Sequence, residues 1–270
     1  MTYQDDQKKV GIALGAGSVK GFAHIGVLQV LKENHVPIHL VSGSSVGAIV
    51  GAVYSVGGDM GMLGKYFSAV TSRDFLDIPR PQRGGLISGE RMQELIRIFT
   101  HDKTFDQTNI PFVCTAVDIE TGELLTLSTG KLYEAVRASM AIPGIFAPVR
   151  IEGRLCVDGG VLDCVPCSQL QEMGADLIIG VDVGWRGEIE RIERPTFLSI
   201  VDRSTSIMQR EITKLRTQIA DVLLCPRVTY MKWFDTQHAQ EAIAEGRREA
   251  QAMLPSILEA MKARGIPLLQ

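Results

Sequence analysis

Twice in its first 56 residues the chain passes from a short apolar run through glycine into helical spacing. Lys9 to Leu14 reads as a first strand, and Gly15 to Gly21 as a turn of small residues. Phe22, Ile25, Val27, Leu28 and Leu31 then recur on one face of a helix from Phe22 to Glu33. Ile38 to Val41 is the second apolar run. Gly43 breaks it, and Ala48 to Val56 reads as a buried helix of small and branched residues. Repeated strand, tight turn and helix argue for βα units on a largely parallel sheet.

The rest of the chain extends this pattern. Gly57 and Gly58 end the second helix, and Met60 to Val70 reads as a short third one. Thr71 to Gly85 is a loop with prolines and basic residues, a candidate lid or rim. Phe112 to Ile119 and Glu123 to Leu127 read as strands joined through Glu120-Thr121-Gly122, and Leu132 to Met140 as a helix closed by Pro143-Gly144. Arg154 to Val157 and Leu177 to Val183 are further strands, with a helix from Val165 to Met173 between them. From Thr196 onward the chain reads as mainly helical, apart from the apolar run Val222 to Cys225. The expectation is one α/β domain over residues 1–270. Its mainly parallel central sheet is flanked by helices, its motifs fall within about 10–183, and 196–270 forms a helical C-terminal part.

Composition narrows the function classes. With 45% hydrophobic and 22% charged residues there is ample material for a core, and a net charge of -3 lacks the basic footprint of a nucleic-acid binder. Met1 to Lys9 is polar where an export signal would be basic and then apolar. Val46 to Val56 and the other apolar stretches fall short of the roughly 20 residues that span a bilayer, so any membrane contact is expected to be peripheral. Five cysteines, Cys114, Cys156, Cys164, Cys167 and Cys225, suit a reducing, cytoplasmic compartment. Cys164 and Cys167 form a C-x-x-C with no second pair nearby, so no metal is expected.

Gly43-Ser44-Ser45-Val46-Gly47 fits G-x-S-x-G between a predicted strand and a predicted helix. A serine at such an elbow has a strained backbone and needs small neighbours, which Gly43 and Gly47 supply. The following helix turns its N-terminal amides toward Ser45, where they favour charge building on oxygen. The bland alternative is a glycine-rich turn that only lets a strand enter a close-packed helix.

Gly15-Ala16-Gly17-Ser18-Val19-Lys20-Gly21 follows the first strand, where unpaired N–H groups can converge on an anion. One reading is a dinucleotide-binding turn, from which the last glycine spacing and the lack of an acidic residue after the second strand depart. The other is an oxyanion hole built on the amides around Gly17 and Ser18. Lys20 either adds positive potential or anchors the loop.

A Ser-His-Asp arrangement in α/β-hydrolase order needs a late histidine, and of His24, His35, His39, His101 and His238 only His238 is late. Its charged neighbours read as a surface helix start, which directs attention to a base other than histidine. The segment Gly15 to Leu28, Gly43 to Gly47, and Asp158-Gly159-Gly160 together resemble the patatin-like phospholipase family in its compact bacterial form. The resemblance runs from about Val10 to Asp182, with Ala135 to Pro143 as a further block.

The resemblance implies a Ser45–Asp158 pair, an oxyanion hole on the Ala16, Gly17 and Ser18 amides, and cleavage of lipid or phospholipid acyl esters without a cofactor. Lys20, Gly21, Gly43, Gly47, Gly159 and Gly160 are its supporting motif residues. Two departures stand out. Ala16-Gly17-Ser18 replaces a glycine triplet, and Cys164 stands where an Asn is common. Phe75 to Pro79 and Tyr230 to Phe234 are candidate walls of an acyl pocket, and Arg73, Arg80 and Arg83 candidate contacts for lipid phosphates; core packing and a solvated loop explain them as well. The rivals are a carboxylesterase or lysophospholipase acting on soluble esters, and a non-catalytic lipid-binding protein.

Overall fold

The computed structural model describes residues 8–69, 71, 77, 84–184, 195–229, 231 and 236–269. In chain order the elements are β1 (Val10–Leu14), α1 (Phe22–Glu33), β2 (Leu40–Ser44), α2 (Val46–Ser55), α3 (Met60–Ala69), α4 (Glu90–Phe99), β3 (Phe112–Asp118), β4 (Glu123–Leu127), α5 (Leu132–Ser139), β5 (Val149–Ile151), β6 (Arg154–Asp158), α6 (Cys167–Glu172), β7 (Leu177–Val181), α7 (Phe197–Arg216), β8 (Val222–Leu224) and α8 (Ala239–Arg264).

One sheet holds all eight strands, in the order β5-β6-β3-β2-β1-β7-β8, with β4 pairing with β3 off this path. From β3 to β8 every neighbour pair is parallel. β4, β5 and β6 join antiparallel. Tight turns after Asp118 and Ile151 account for the β3–β4 and β5–β6 pairs, since only antiparallel neighbours can be joined so briefly. The sheet is thus mixed, with the expected parallel arrangement confined to its five-stranded core.

β1, β2 and β7 are buried along their whole length, as parallel strands covered on both faces must be. Ser42, polar within β2, satisfies its hydroxyl by donating to the Pro166 carbonyl at 2.7 Å. α1 buries nine of its twelve residues and packs along α8, which closes one side of the core with the C-terminal part. No helix among the described residues is long and apolar enough to cross a membrane.

Two elements lie outside the sequence expectation, α4 and the three-residue β5. Apolar residues on β2 stop at Val41, yet its pairing continues through Gly43 to Ser44. That extension matters for the site. Ser44 pairs with Thr115 of β3, and the next residue, Ala116, pairs with Asp158 of β6. A single step along β3, about 3.3 Å, therefore sets the ends of two strands side by side.

Candidate active site

Ser45 lies between β2 and α2 with φ 55 and ψ -122, a conformation costly for any side chain but glycine. The small neighbours are required by contact. A Cβ at Gly43 would sit 2.6 Å from the Gly47 carbonyl oxygen, and one at Gly47 would overlap the Leu14 carbonyl. The Ser45 carbonyl accepts from the Ala48 and Ile49 amides at 2.9 and 3.2 Å, which starts α2. Its own amide donates to the Ser139 hydroxyl at 3.0 Å.

Asp158 ends β6 and caps the short turn Gly159–Val161. Its carboxylate accepts a hydrogen bond from the Gly160 amide at 2.7 Å, and the Ser45 hydroxyl is near enough to favour its charged form. Only 5% of the residue is exposed. Burial raises its pKa from 3.8 to about 6, outweighing the two groups that favour the charged form. A buried carboxylate of raised basicity beside a serine hydroxyl can accept that proton as the oxygen attacks.

The loop after Asp158 is pinned from several directions. A side chain at Gly159 would run into Thr115 of β3, and one at Gly160 would come within 2.9 Å of the Ala16 Cβ. The Gly160 carbonyl accepts from Gln209 Nε2 of α7 at 2.8 Å and from Cys164 Sγ at 3.3 Å. Burial pushes the Cys164 thiol up to about 12, so it keeps the proton it donates. The cysteine that departs from the familiar Asn thus holds the aspartate loop through a weak donor.

In the glycine turn, the Gly15 amide donates to Val181 O at 3.0 Å and the Ala16 amide to Cys164 O at 2.8 Å. The Ala16 donor is spent on structure. Of the three amides expected to form an oxyanion hole, those of Gly17 and Ser18 remain. Ser18 has φ 54 and lines the same cavity as Ser45. A Cβ on Gly21 would overlap the Val46 side chain, so the turn packs directly on the elbow. Lys20 is half-buried in the one-turn helix Ser18–Gly21. His24, fully buried, donates Nε2–H to the Gly15 carbonyl at 2.8 Å; burial drops its pKa to about 4, so it is neutral and braces the turn. His238 sits at the start of α8, whereas Asp158 is the ionisable side chain next to the Ser45 hydroxyl.

An apolar cavity opens on Ser45, walled by Phe22, Ile49, Phe67, Met92, Met140 and Phe146 among others. Part of this wall is held by Arg137, a buried cation of α5 that sequence reasoning left without a role. Its Nη2 donates to the carbonyls of Ser88, before α4, and Ala147, and its guanidinium lies 5.6 Å from the Phe146 ring centre. Most of the loop Thr71 to Gly85, including Arg73, Arg80 and Arg83, lies outside the described residues. So do Phe75 to Pro79 and Tyr230 to Phe234 except for Asp77 and Met231. The walls that are described come from α1, α2, α3, α4 and the segment after α5. A sign of them was present in the mixed Met, Phe and Ile content of Met140 to Phe146.

The profile of the Patatin-like phospholipase family matches residues 12–170, more than half of the chain. The chain belongs to that family. Among curated relatives, this patatin-like chain is 36% identical over 177 residues to an uncharacterized NTE family protein of Mycobacterium tuberculosis, covering 65% of this chain and 49% of the relative. It is 33% identical over 183 residues to lysophospholipase NTE1 of Coccidioides immitis, covering 66% of this chain and 12% of that protein. The chain thus spans about half the length of the mycobacterial relative and a small part of the fungal one. The crystal structure of VipD from Legionella pneumophila superimposes with a TM-score of 0.49 at 14% identity, over 93% of this chain and 67% of that one. Among the described residues of this patatin-like chain, no three His, Cys, Asp or Glu side chains gather as a metal site.

Proposed function

We propose that the chain is a serine acyl-ester hydrolase acting on lipid or phospholipid esters, with Ser45 as nucleophile and Asp158 as its sole side-chain base. The observation that carries this reading is a strained elbow serine set beside a buried carboxylate of raised pKa, at the mouth of an apolar cavity. Membership of the patatin-like phospholipase family and the lysophospholipase names of fungal relatives support the same substrate class. Residues 1–270 act as one domain in this reading, because β8 and α8 complete the sheet and core begun by β1 and α1.

The Ser45 oxygen attacks the ester carbonyl carbon while its proton passes to Asp158. The carbonyl π pair moves onto oxygen, and the Gly17 and Ser18 amides donate to that oxyanion. Collapse expels the alcohol, which takes the proton from Asp158, and leaves the acyl group on Ser45. Water then gives a proton to Asp158 and attacks the acyl carbon. The second collapse returns that proton to the Ser45 oxygen and frees the fatty acid. Because Asp158 lies directly beside the nucleophile, one carboxylate serves both half-reactions.

The test is labelling of the wild-type chain, Ser45→Ala and Asp158→Asn with a fluorophosphonate, followed by turnover of p-nitrophenyl esters of rising chain length. Labelling that requires Ser45, with turnover lost in both variants, is the expected result. Asp158→Asn with wild-type turnover would remove the base, and no labelling of folded wild type would leave a lipid-binding protein without catalysis.

A further inference from the structure

Of thirteen large apolar side chains exposed among the described residues, six belong to α7. Phe197, Ile200, Val201, Ile207, Met208 and Leu215 fall at helical spacing on one stripe, with Phe197 81% and Leu215 69% exposed. Along one edge of that stripe run Arg203, Arg210 and Lys214, seven and then four residues apart. The chain is net acidic at -3, yet α7 sets Arg203, Arg210, Lys214 and Arg216 against only Asp202 and Glu211, with Glu211, on the stripe itself, paired to Arg210 and Lys214 at 3.2 and 2.7 Å.

The opposite face of α7 rests on the site. Gln209 holds the Gly160 carbonyl two residues from Asp158, Thr213 is buried, and Arg216 Nη1 lies 3.5 Å from the buried Asp163 carboxylate. The helix therefore stands between the aspartate loop and solvent.

We infer that α7 is an interfacial helix that docks the protein on an anionic lipid surface and holds the Asp158 loop next to it. An apolar stripe inserts among acyl chains, and a row of cations at its edge meets anionic headgroups. A second copy of the chain would cover the stripe but set two helices of the same positive excess against each other. The choice of lipid as occupant rests on the hydrolase reading, whereas docking itself needs no turnover.

The experiment is co-sedimentation of the full chain with phosphatidylcholine vesicles, with and without phosphatidylserine. Wild type is compared with the triple variant Phe197→Ser, Met208→Ser, Leu215→Ser and with the triple variant Arg203→Glu, Arg210→Glu, Lys214→Glu. Circular dichroism and turnover of p-nitrophenyl butyrate report on folding and on the site.

Wild type and Ser45→Ala are expected to bind phosphatidylserine vesicles alike. The apolar variant should bind at least about tenfold more weakly while keeping soluble-ester turnover, and the charge variant should lose the preference for phosphatidylserine. Equal binding by wild type and the folded apolar variant, or no wild-type binding, overturns the inference. So does a wild-type dimer in sedimentation velocity that the apolar variant dissociates. Vesicle binding through α7 without any ester turnover would sink the hydrolase reading and leave the docking surface standing.

Discussion

The backbone N–H of Ser45 donates to the hydroxyl of Ser139 at 3.0 Å, although 94 residues separate them in sequence. Ser139 is the last residue of α5 and is fully buried. The bond ties the strained elbow to a helix on the far side of the site, which is the kind of external restraint that a positive-φ serine needs.

Ser139→Ala leaves the Ser45 amide buried and unpaired. Stability is expected to fall by about 1–3 kcal/mol in a denaturant titration. Turnover should fall through kcat more than through KM, because the group displaced is the nucleophile. Unchanged stability together with unchanged kcat would show that the elbow holds itself.

Asp158 must be ionised to take the serine proton, and its pKa is raised to about 6. Activity on a soluble ester should therefore rise with pH through about 6 and level off above it. A profile that levels off already near the ordinary carboxylate value would separate the base from this buried group.

The same carboxylate costs stability. With its folded pKa raised from 3.8 to about 6, Asp158 favours the folded state fully below pH 3.8, and that contribution is lost as pH rises through about 6. Asp158→Asn removes the charge and keeps similar hydrogen-bonding atoms. It is expected to be more stable than wild type by up to about 3 kcal/mol at pH 8, with the gain shrinking toward pH 4. Thermal melts at the two pH values decide it, and a destabilised variant at pH 8 would contradict the assignment.

Ile142 is half-buried and lines the cavity beside Ser45. Ile142→Trp fills that space, so turnover of long-chain p-nitrophenyl esters should drop by about tenfold or more while the acetate ester is largely spared, in line with what small size changes do in apolar pockets. An equal loss at all chain lengths would mean the cavity does not receive the acyl chain.

Much of the site was legible because its chemistry is local in sequence. Gly43 to Gly47 encodes a strand, a sharp turn and a helix within a few residues, and the structure places φ 55 at Ser45 where that pattern puts the strain. The turn Gly15 to Gly21 was equally plain, yet its split into spent and remaining donors was not. That split depends on the Cys164 carbonyl, almost 150 residues away, capturing the Ala16 amide. Arg137 and Ser139 sat inside a recognisable block, but a buried arginine that binds two carbonyls looks like any other helical arginine until Ser88 and Ala147 are brought to it. In the fold, the apolar runs marked the parallel core. They missed β5, which has three residues, none of them fully buried. They also stopped β2 early, since Ser42 to Ser44 continue the ladder without hydrophobic side chains.

Thr115 pairs with Ser44 and Ala116 with Asp158 on the same strand, so the separation of Ser45 from Asp158 is counted in whole residues of β3. It cannot drift by fractions as loops lengthen or shorten. The segment between α2 and β3 is thereby released from any duty of measurement. New walls for the cavity can be grafted there by insertion, while the ruler that sets Ser45 against Asp158 stays untouched in the middle of the sheet.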